Sequence, residues 1–207
     1  ELGGGNVSYL RAAAGQFALL RPLNRQLVWQ AHPYSISAAP RVDRIRFTIK
    51  ALGGASELMT HLPIGSKVAV EGPYGTKIYE ELRGRKLLLI AGGVGIGPVR
   101  SLLEDFASDA EPVVIYRARR AEEIVHYDEL VHLAATRSGR FIPVVGPTRE
   151  LEGGNPFDPD VMRSLVPDVV SRTVVICGSP PMINAAFRCL RECDVAAEDI
   201  HFERIWW

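Results

Sequence analysis

The sequence has 207 residues, 47% of them hydrophobic and 23% charged, which is the composition of an ordinary globular protein. Basic and acidic residues number 24 each, so the formal net charge is zero, and this balance argues against a nucleic-acid-binding protein. The chain is long enough to form two small domains.

Short strands are predicted throughout the first 84 residues. Stretches rich in β-branched and aromatic residues are separated there by glycine, proline and asparagine. The predicted strands cover residues 7–10, 16–20, 27–29, 35–37, 44–49 and 67–71, and one helix is predicted over 56–62. Short strands at this spacing favour a small antiparallel β-barrel. We therefore expect a first domain over residues 1–84.

Strands and helices alternate after residue 84. The predicted strands cover 87–90, 113–116, 141–145 and 174–177, and the predicted helices cover 99–106, 122–135, 159–165 and 182–193. Alternation at this spacing predicts βαβ units around a parallel sheet. We therefore expect an α/β domain over residues 85–207.

A glycine-rich segment, AGGVGIGP at 91–98, follows the first strand of the second domain and opens its first helix. Glycine lets the backbone approach a ligand closely, and proline suits the first turn of a helix. The free N–H groups at that helix start would face a pyrophosphate. A tight turn without a ligand is the alternative, because such a segment is weak evidence by itself.

Three arginines, Arg117, Arg119 and Arg120, follow the second strand of this unit. In dinucleotide-binding folds this region meets the adenosine ribose, where an acidic residue would select the bare 2′-hydroxyl. Arginine instead offers a fork of donors to a 2′-phosphate. The pattern predicts NADPH as the nucleotide, and a solvated basic turn is the alternative.

The cysteines and histidines do not suggest a metal site. The sequence has three cysteines, Cys177, Cys189 and Cys193, and no C-x-x-C pair. This odd number and spacing argue against a disulfide framework, a zinc site and an iron–sulfur cluster. Cys189 and Cys193 fit small apolar fillers of a helix, and free thiols suit a reducing cytosol. The five histidines are scattered along the chain, so no metal is expected.

Five short motifs then occur in one order: HPYSIS at 32–37, GPYG at 72–75, GGVGIGP at 92–98, CGSPPM at 177–182 and HFE at 201–203. Together they resemble the ferredoxin-NADP reductase-like superfamily over nearly the whole chain. The resemblance implies an FAD-binding barrel, N-terminally incomplete here, followed by an NADP-binding α/β domain.

The His-Pro start of the first motif most resembles the FAD/NADPH dehydrogenase domain of ferric reductases and NADPH oxidases. Such domains follow a haem-bearing transmembrane bundle. The resemblance therefore implies a piece of a larger protein at the cytoplasmic face of a membrane, passing hydride from NADPH to FAD and single electrons to haem. A soluble ferredoxin- or flavodoxin-NADP reductase is one alternative, and a nucleotide-sensing module without turnover is another.

The resemblance also implies the site residues. Ser35 would donate to flavin N5, Cys177 would pack near nicotinamide C4, and Glu203 would relay protons or orient the nicotinamide. The implied FAD residues are His32, Pro33, Tyr34, Ser35, Ile49, Lys50, Gly53, Ser56 and Gly75, with Trp206 or Trp207 covering the flavin. The implied NADPH residues are Gly92, Gly93, Gly95, Pro98, Arg117, Arg119, Cys177, Gly178 and Met182.

The residues leave plainer interpretations open. Tyr34 and Ser35 also suit an ordinary strand, Cys177 a buried structural thiol, and Glu203 a surface carboxylate. Three positions depart from the family pattern: Gly97 stands where a threonine or serine is usual, Ser179 replaces the first proline of the cysteine motif, and Ile205 stands where close relatives often have the aromatic residue that covers the flavin.

Overall fold

The computed structural model describes residues 1–4, 6–76, 78, 82–106, 110–148, 151 and 153–204. Within these residues no helix is both long and apolar enough to cross a membrane.

The N-terminal part consists of antiparallel sheets. Its strands are β1 (Leu2–Gly3), β2 (Phe17–Pro22), β3 (His32–Ser35), β4 (Arg44–Ile45) and β5 (Val68–Tyr74), and its helix is α1 (Gly54–Thr60). Strands β3, β2 and β5 form one sheet in that order, β1 and β4 form a second, and a bridge between Ile36 and Phe47 links their neighbouring segments. Ala18, Leu20, Leu27 and Met59 form the buried centre of this region. The predicted antiparallel flavin-type domain is confirmed.

Two strands predicted in this region are wrong. Residues 7–10 form a 3₁₀ helix, Val7–Leu10. Residues 27–29 lie in a turn, where Asn24 Oδ1 accepts hydrogen bonds from the backbone N–H groups of residues 26 and 27. Leu27 is buried, whereas Trp29 is 92% exposed. An asparagine side chain that satisfies the backbone locally competes with strand formation, which is why the apolar composition of this stretch is misleading.

The C-terminal part is a five-stranded parallel sheet with helices on both faces. Its strands are β6 (Leu87–Gly92), β7 (Val113–Ala118), β8 (Arg140–Val145), β9 (Thr173–Gly178) and β10 (Ile200–Arg204), in the spatial order β10-β9-β6-β7-β8. Its helices are α2 (Ile96–Asp105), α3 (Tyr127–Ala135), α4 (Pro159–Leu165) and α5 (Pro180–Glu192). Helices α2 and α3 pack on one face, and α4 and α5 on the other. The predicted α/β domain is confirmed.

The sheet has a topological switch point between β6 and β9. From β6 the chain proceeds to β7 and β8 on one side, and then crosses to β9 and β10 on the other. In open α/β sheets, ligands bind in the crevice outside the carboxyl ends of the strands at such a point. Here the ends are adjacent, because Ala91 of β6 pairs with Cys177 of β9.

Strand β10 was not predicted as a strand. It pairs in parallel with β9, and Glu203 is opposite Cys177. The strand is only five residues long and lies at the sheet edge, where Ile200 is buried but Phe202 is 46% exposed, so its short apolar–polar alternation was a weak signal.

A charged network joins the two parts. Arg46, just after β4, donates to both carboxylate oxygens of Glu129 in α3 at 2.9 and 3.0 Å, and to Nδ1 of His126 at 2.9 Å. Arg100 of α2, whose side chain is only 7% exposed, donates to Glu129 at 2.7 Å and to the Ser37 carbonyl at 2.8 Å. These contacts fix the segment that follows β3 against the helix that follows the glycine turn.

Candidate active site

A cavity of about 380 Å³ opens between β3, the 48–56 segment and the glycine turn. Its volume is typical of small-molecule sites. It is lined by most of the residues predicted to hold the flavin: His32, Pro33, Tyr34, Ser35, Lys50, Gly53 and Ser56. Thr48, Leu52, Ala55, Val94 and Gly97 complete the described lining. An aromatic ring, hydroxyl donors and an ammonium group are the side chains that a flavin dinucleotide requires, so the residues present fit FAD.

Two of the predicted flavin residues, Gly53 and Ser56, determine the shape of this cavity and present no unpaired side-chain hydroxyl to it. Gly53 has a φ of 92°, a left-handed conformation that favours glycine. The Ser56 hydroxyl accepts a hydrogen bond from the Leu52 backbone at 2.9 Å and donates to the Gly53 carbonyl at 2.8 Å. Ser56 therefore holds the turn that begins α1.

Two other predicted flavin residues are outside the described lining of the cavity. Ile49 packs on the buried centre of the N-terminal sheets. Gly75 follows β5 and has a φ of 93°, and its carbonyl accepts a hydrogen bond from the Gln16 side chain at 3.0 Å. Both contribute to the frame around the cavity. Trp206 and Trp207, predicted to cover the flavin, lie outside the described residues.

A second cavity, of about 460 Å³, lies at the switch point of the parallel sheet. Among the predicted nucleotide residues, Gly92, Gly93, Arg117, Arg119 and Met182 line it. The remainder of its described lining is Lys50, Ala118, Glu123, Thr148, Asn155, Phe157, Ser179, Pro181 and Ala185. The position is the one at which doubly wound sheets bind dinucleotides.

Packing requires glycine at position 95 of the turn, whereas the close contacts at Gly92 and Gly178 are with the flexible Met182 side chain. A Cβ on Gly95 would lie 2.1 Å from the Cys177 carbonyl oxygen, and one on Gly92 would lie 2.3 Å from Met182 Sδ. A Cβ on Gly178 would lie 2.5 Å from Met182 Cε. The turn therefore lies directly on the end of β9, which leaves its backbone open to a diphosphate and fits a nicotinamide dinucleotide. Pro98 is buried in the first turn of α2.

The three arginines have different surroundings. The Arg117 guanidinium donates to the carbonyls of Ala118, Val144 and Gly146, and so joins the ends of β7 and β8. Arg120 pairs with Glu123 at 3.3 Å. Arg119 is exposed, and no hydrogen bond or ion pair between described residues engages its guanidinium. Arg119 is thus the guanidinium available to a ligand in this cavity.

The structure brings together the three residues predicted to be catalytic. Parallel pairing of β10 with β9 places Glu203 beside Cys177, and Ser35 of the N-terminal part hydrogen-bonds to the Glu203 carboxyl. Burial raises the pKa of Glu203 to about 7, and the Ser35 hydrogen bond opposes that rise. Burial, followed by the nearby Glu203 charge, raises the pKa of Cys177 well above its usual range. The thiol is therefore neutral, and the carboxyl exchanges its proton near neutral pH.

Tyr116 is a site residue that sequence reasoning missed. It is 1% exposed, and its hydroxyl lies 3.2 Å from the Gly93 carbonyl oxygen and 3.0 Å from that of Glu123. It therefore ties the glycine turn to the loop that carries the arginines. Its sequence signal is only that of a tyrosine ending an apolar strand.

Comparison with known proteins agrees with this arrangement. Residues 5–78 match the model of an FAD-binding domain, and residues 89–188 match the model of an oxidoreductase NAD-binding domain. The chain is a two-domain FAD- and NAD(P)-binding oxidoreductase.

Similar proteins include reductase components of oxygenase systems. The oxidoreductase is 28% identical over 186 residues to the reductase component of propane 2-monooxygenase from Mycolicibacterium goodii, covering 82% of the chain and 53% of that protein. It is 30% identical over 200 residues to the ferredoxin reductase component of 3-ketosteroid-9-alpha-monooxygenase from Mycobacterium tuberculosis. That match covers 94% of this chain and 55% of the relative. The chain thus spans about half the length of the curated relatives it matches.

Solved structures show the same fold. A ferredoxin NADP⁺ reductase from Neisseria gonorrhoeae with bound FAD and NADP has a TM-score of 0.75 at 21% identity, covering 94% of the oxidoreductase and 87% of that chain. An Amycolatopsis cytochrome P450 reductase has a TM-score of 0.75 at 23% identity, and the match covers 93% of this chain and 61% of the reductase chain. These matches support a ferredoxin-NADP reductase-like fold, and do not extend to ferric reductases or NADPH oxidases in particular.

Proposed function

We propose that this chain is the flavin and nucleotide portion of a reductase that oxidises NADPH and delivers single electrons to a ferredoxin or to an oxygenase component. The observation that supports this most directly is that two adjacent cavities, one lined by the flavin motif and the other by the glycine turn and the arginines, share the lining residue Lys50. FAD, when bound, accepts two electrons as hydride and releases them one at a time. We propose domain limits of 1–84 for flavin binding and 85–207 for the nucleotide.

The roles of the three predicted catalytic residues follow from their surroundings. A carboxyl with a pKa of about 7 is an effective proton acceptor and donor at neutral pH, so we assign proton handling to Glu203. The Cys177 thiol is neutral and 1% exposed, and we propose that it lies beneath the nicotinamide ring rather than in either described cavity. Ser35 supplies a hydroxyl between the flavin cavity and Glu203.

The acceptor is proposed from the relatives. The M. tuberculosis relative is named a ferredoxin reductase component, and the M. goodii relative is a reductase component of a monooxygenase. A haem-bearing membrane domain is a second candidate, because the flavin motif begins with His32-Pro33. Reduction rates measured separately with a ferredoxin and with a membrane-domain haem protein would distinguish these acceptors.

The first test is whether NADPH reduces a bound flavin. Protein reconstituted with FAD should be yellow, and NADPH should bleach its visible absorbance without oxygen. Tyr34→Ala should weaken FAD binding by about 1–3 kcal/mol through lost stacking. Tyr9→Ala is the matched control, since Tyr9 is 82% exposed and outside the cavity. Binding of NADPH without bleaching would favour a nucleotide-sensing module.

The second test concerns the choice of nucleotide. We assign 2′-phosphate recognition to Arg119, because Arg117 is held by carbonyls and Arg120 is outside the described lining of the nucleotide cavity. Arg119→Ala should raise KM for NADPH about 10- to 150-fold, the equivalent of one charge-assisted phosphate contact, and change KM for NADH little. Arg120→Ala is the control and should have a smaller effect. Equal losses with both nucleotides would contradict the assignment.

A further inference from the structure

His126 forms a contact between the two domains that reaches the flavin cavity. It lies at the start of α3, and its side chain is 14% exposed. Its Nδ1 lies 2.9 Å from Arg46 Nη2, and its Nε2 lies 2.9 Å from Thr48 Oγ1. Thr48 lines both the flavin cavity and a neighbouring cavity of about 340 Å³, whereas His126 is in the described lining of neither. His126 therefore reaches the flavin cavity through Thr48.

The hydrogen bonds determine which nitrogen of His126 carries the proton. The Arg46 guanidinium has only donors, so Nδ1 must accept, and in a neutral imidazole the hydrogen is then on Nε2. Nε2–H donates to Thr48 Oγ1, which leaves the hydroxyl hydrogen of Thr48 for another acceptor. Thr48 thus differs from Ser35 and Ser56, the other serine or threonine residues in the described lining of the flavin cavity, whose hydroxyls are already bonded within the protein.

The backbone of His126 supports a positioning role. Its φ of 62° and ψ of 25° lie in the left-handed region, which is uncommon for a residue with a side chain. Such conformations persist where the surrounding structure holds them, and they cluster at functional sites. The side chain makes no capping hydrogen bond to α3, although His126 is at the N-cap position. Both ring nitrogens instead face residues of the flavin domain.

We propose that His126 of the nucleotide domain is a positioning residue for FAD, which orients the Thr48 hydroxyl as a hydrogen-bond donor to an oxygen of the bound flavin. This inference rests on the proposed function. The flavin ring and its ribityl chain carry oxygens that accept such a bond. A hydroxyl that is already oriented loses less rotational freedom when the ligand binds, and this strengthens binding.

Protonation of His126 would break this arrangement. The protonated Nδ1 is a donor, and it would face the donor and the positive charge of Arg46 at 2.9 Å. The described charged groups that face the ring are Arg46 from the segment after β4, Arg100 from α2 and Glu129 on α3. Nδ1–H would turn towards Glu129 Oε1, which is 3.4 Å away, and the contact with Thr48 would be lost. Burial, followed by the charge of Arg46, lowers the pKa of His126 below its ordinary value of 6.5, so the ring is neutral at pH 7.

The test is the pH profile of FAD affinity. Flavin-free protein is titrated with FAD between pH 5 and 8, and binding is followed by quenching of FAD fluorescence. His126→Phe keeps a ring without nitrogens, and it should weaken binding about 2- to 10-fold at pH 7.5, the equivalent of one neutral hydrogen bond. Wild-type affinity should fall towards that of the variant as the pH drops below 6.5. Other titrating groups of the cavity, such as His32, are present in both proteins, so the difference between the two profiles reports His126.

Variants of Thr48 test the hydroxyl through which His126 acts. Thr48→Val should weaken FAD binding by a similar factor and should flatten the pH profile in the same way, which decides the question even if His126→Phe does not fold. Adding His126→Phe to Thr48→Val should weaken binding little further, because both changes remove the same hydrogen bond to FAD. Thr48→Ser keeps the hydroxyl and should retain most of the wild-type affinity.

His132→Phe is the matched control, since His132 is an exposed histidine of the same helix. It should leave the FAD affinity and its pH profile unchanged. Effects of His126→Phe and Thr48→Val that multiply, or variant profiles parallel to that of the wild type, would overturn the positioning role while leaving the proposed function intact. Failure of the wild-type protein to bind FAD would instead reject the proposed function. Melting curves of each variant confirm that the fold is retained.

Discussion

Replacing Gly95 by alanine tests the packing of the glycine turn on β9. Gly95 has φ −60° and ψ −9°, which any residue adopts, so the requirement for glycine is steric. The added Cβ would lie 2.1 Å from the oxygen and 2.5 Å from the carbon of the Cys177 carbonyl, and 3.0 Å from the Gly178 nitrogen. These are backbone atoms of a buried strand, so no flexible side chain can move aside.

The expected loss follows from that geometry. Overpacking a core costs about 1–3 kcal/mol, and a clash with backbone is at the upper end of that range. At about 2–4 °C per kcal/mol for a chain of this size, Gly95→Ala should lower the melting temperature by roughly 6–12 °C. It should also weaken NADP⁺ binding, because relief of the clash displaces either the turn or Cys177.

Gly97→Ala is the matched control in the same segment. Its Cβ would meet Ser37 Cβ at 3.6 Å, an ordinary van der Waals contact, and alanine favours a helix over glycine by up to about 1 kcal/mol. This variant should melt at or slightly above the wild-type temperature. The comparison is made by thermal denaturation with and without NADP⁺. A Gly95→Ala protein that melts within about 1 °C of wild type would refute the packing of the turn on β9.

The remaining predictions concern pH. Burial raises the pKa of Glu203 to about 7 from an ordinary value of 4.5. The folded state therefore binds this proton more tightly than the unfolded state does. The resulting stabilisation of the folded state is complete below pH 4.5 and is lost as the pH rises through 7. Glu203→Gln should therefore reduce the difference in melting temperature between pH 5 and 8, and should remove an inflection near pH 7 from the rate of flavin reduction. Arg46 and Arg100 lower the pKa of Glu129 to about 2, so its stabilisation is complete above pH 4.5 and is lost as the pH falls towards 2. Because the Glu129 side chain is 40% exposed and its ion pairs are partly screened by solvent, Glu129→Gln should cost only about 0.5–1.5 kcal/mol at pH 7 and less at pH 2, measured by urea denaturation. An equal loss at both pH values would contradict the ionic role.

Local patterns determined much of the fold. A strand, a turn and a helix are identified by the apolar run of β6, the glycines after it and the proline that opens α2. These signals are readable from the sequence because each of the three structures is determined by residues that are close together in the chain. Alternation of such units then determines a parallel sheet, and two of its predicted helices, 159–165 and 182–193, correspond to Pro159–Leu165 and Pro180–Glu192. The motif residues also identify which side chains meet the flavin cavity.

Other features were decided only by tertiary structure. Residues 35, 177 and 203 meet through strand pairing and a contact between domains, which no local pattern encodes. Arg117 and Arg119 are the same residue type two positions apart, yet only Arg117 finds carbonyl partners, which come from the end of β8 and the loop after it. Lys50 likewise acquires its position between two cavities from the packing of one domain on the other. A side chain's role depends on which distant atoms satisfy its donors and charge, and those atoms are brought into place only when the chain has folded.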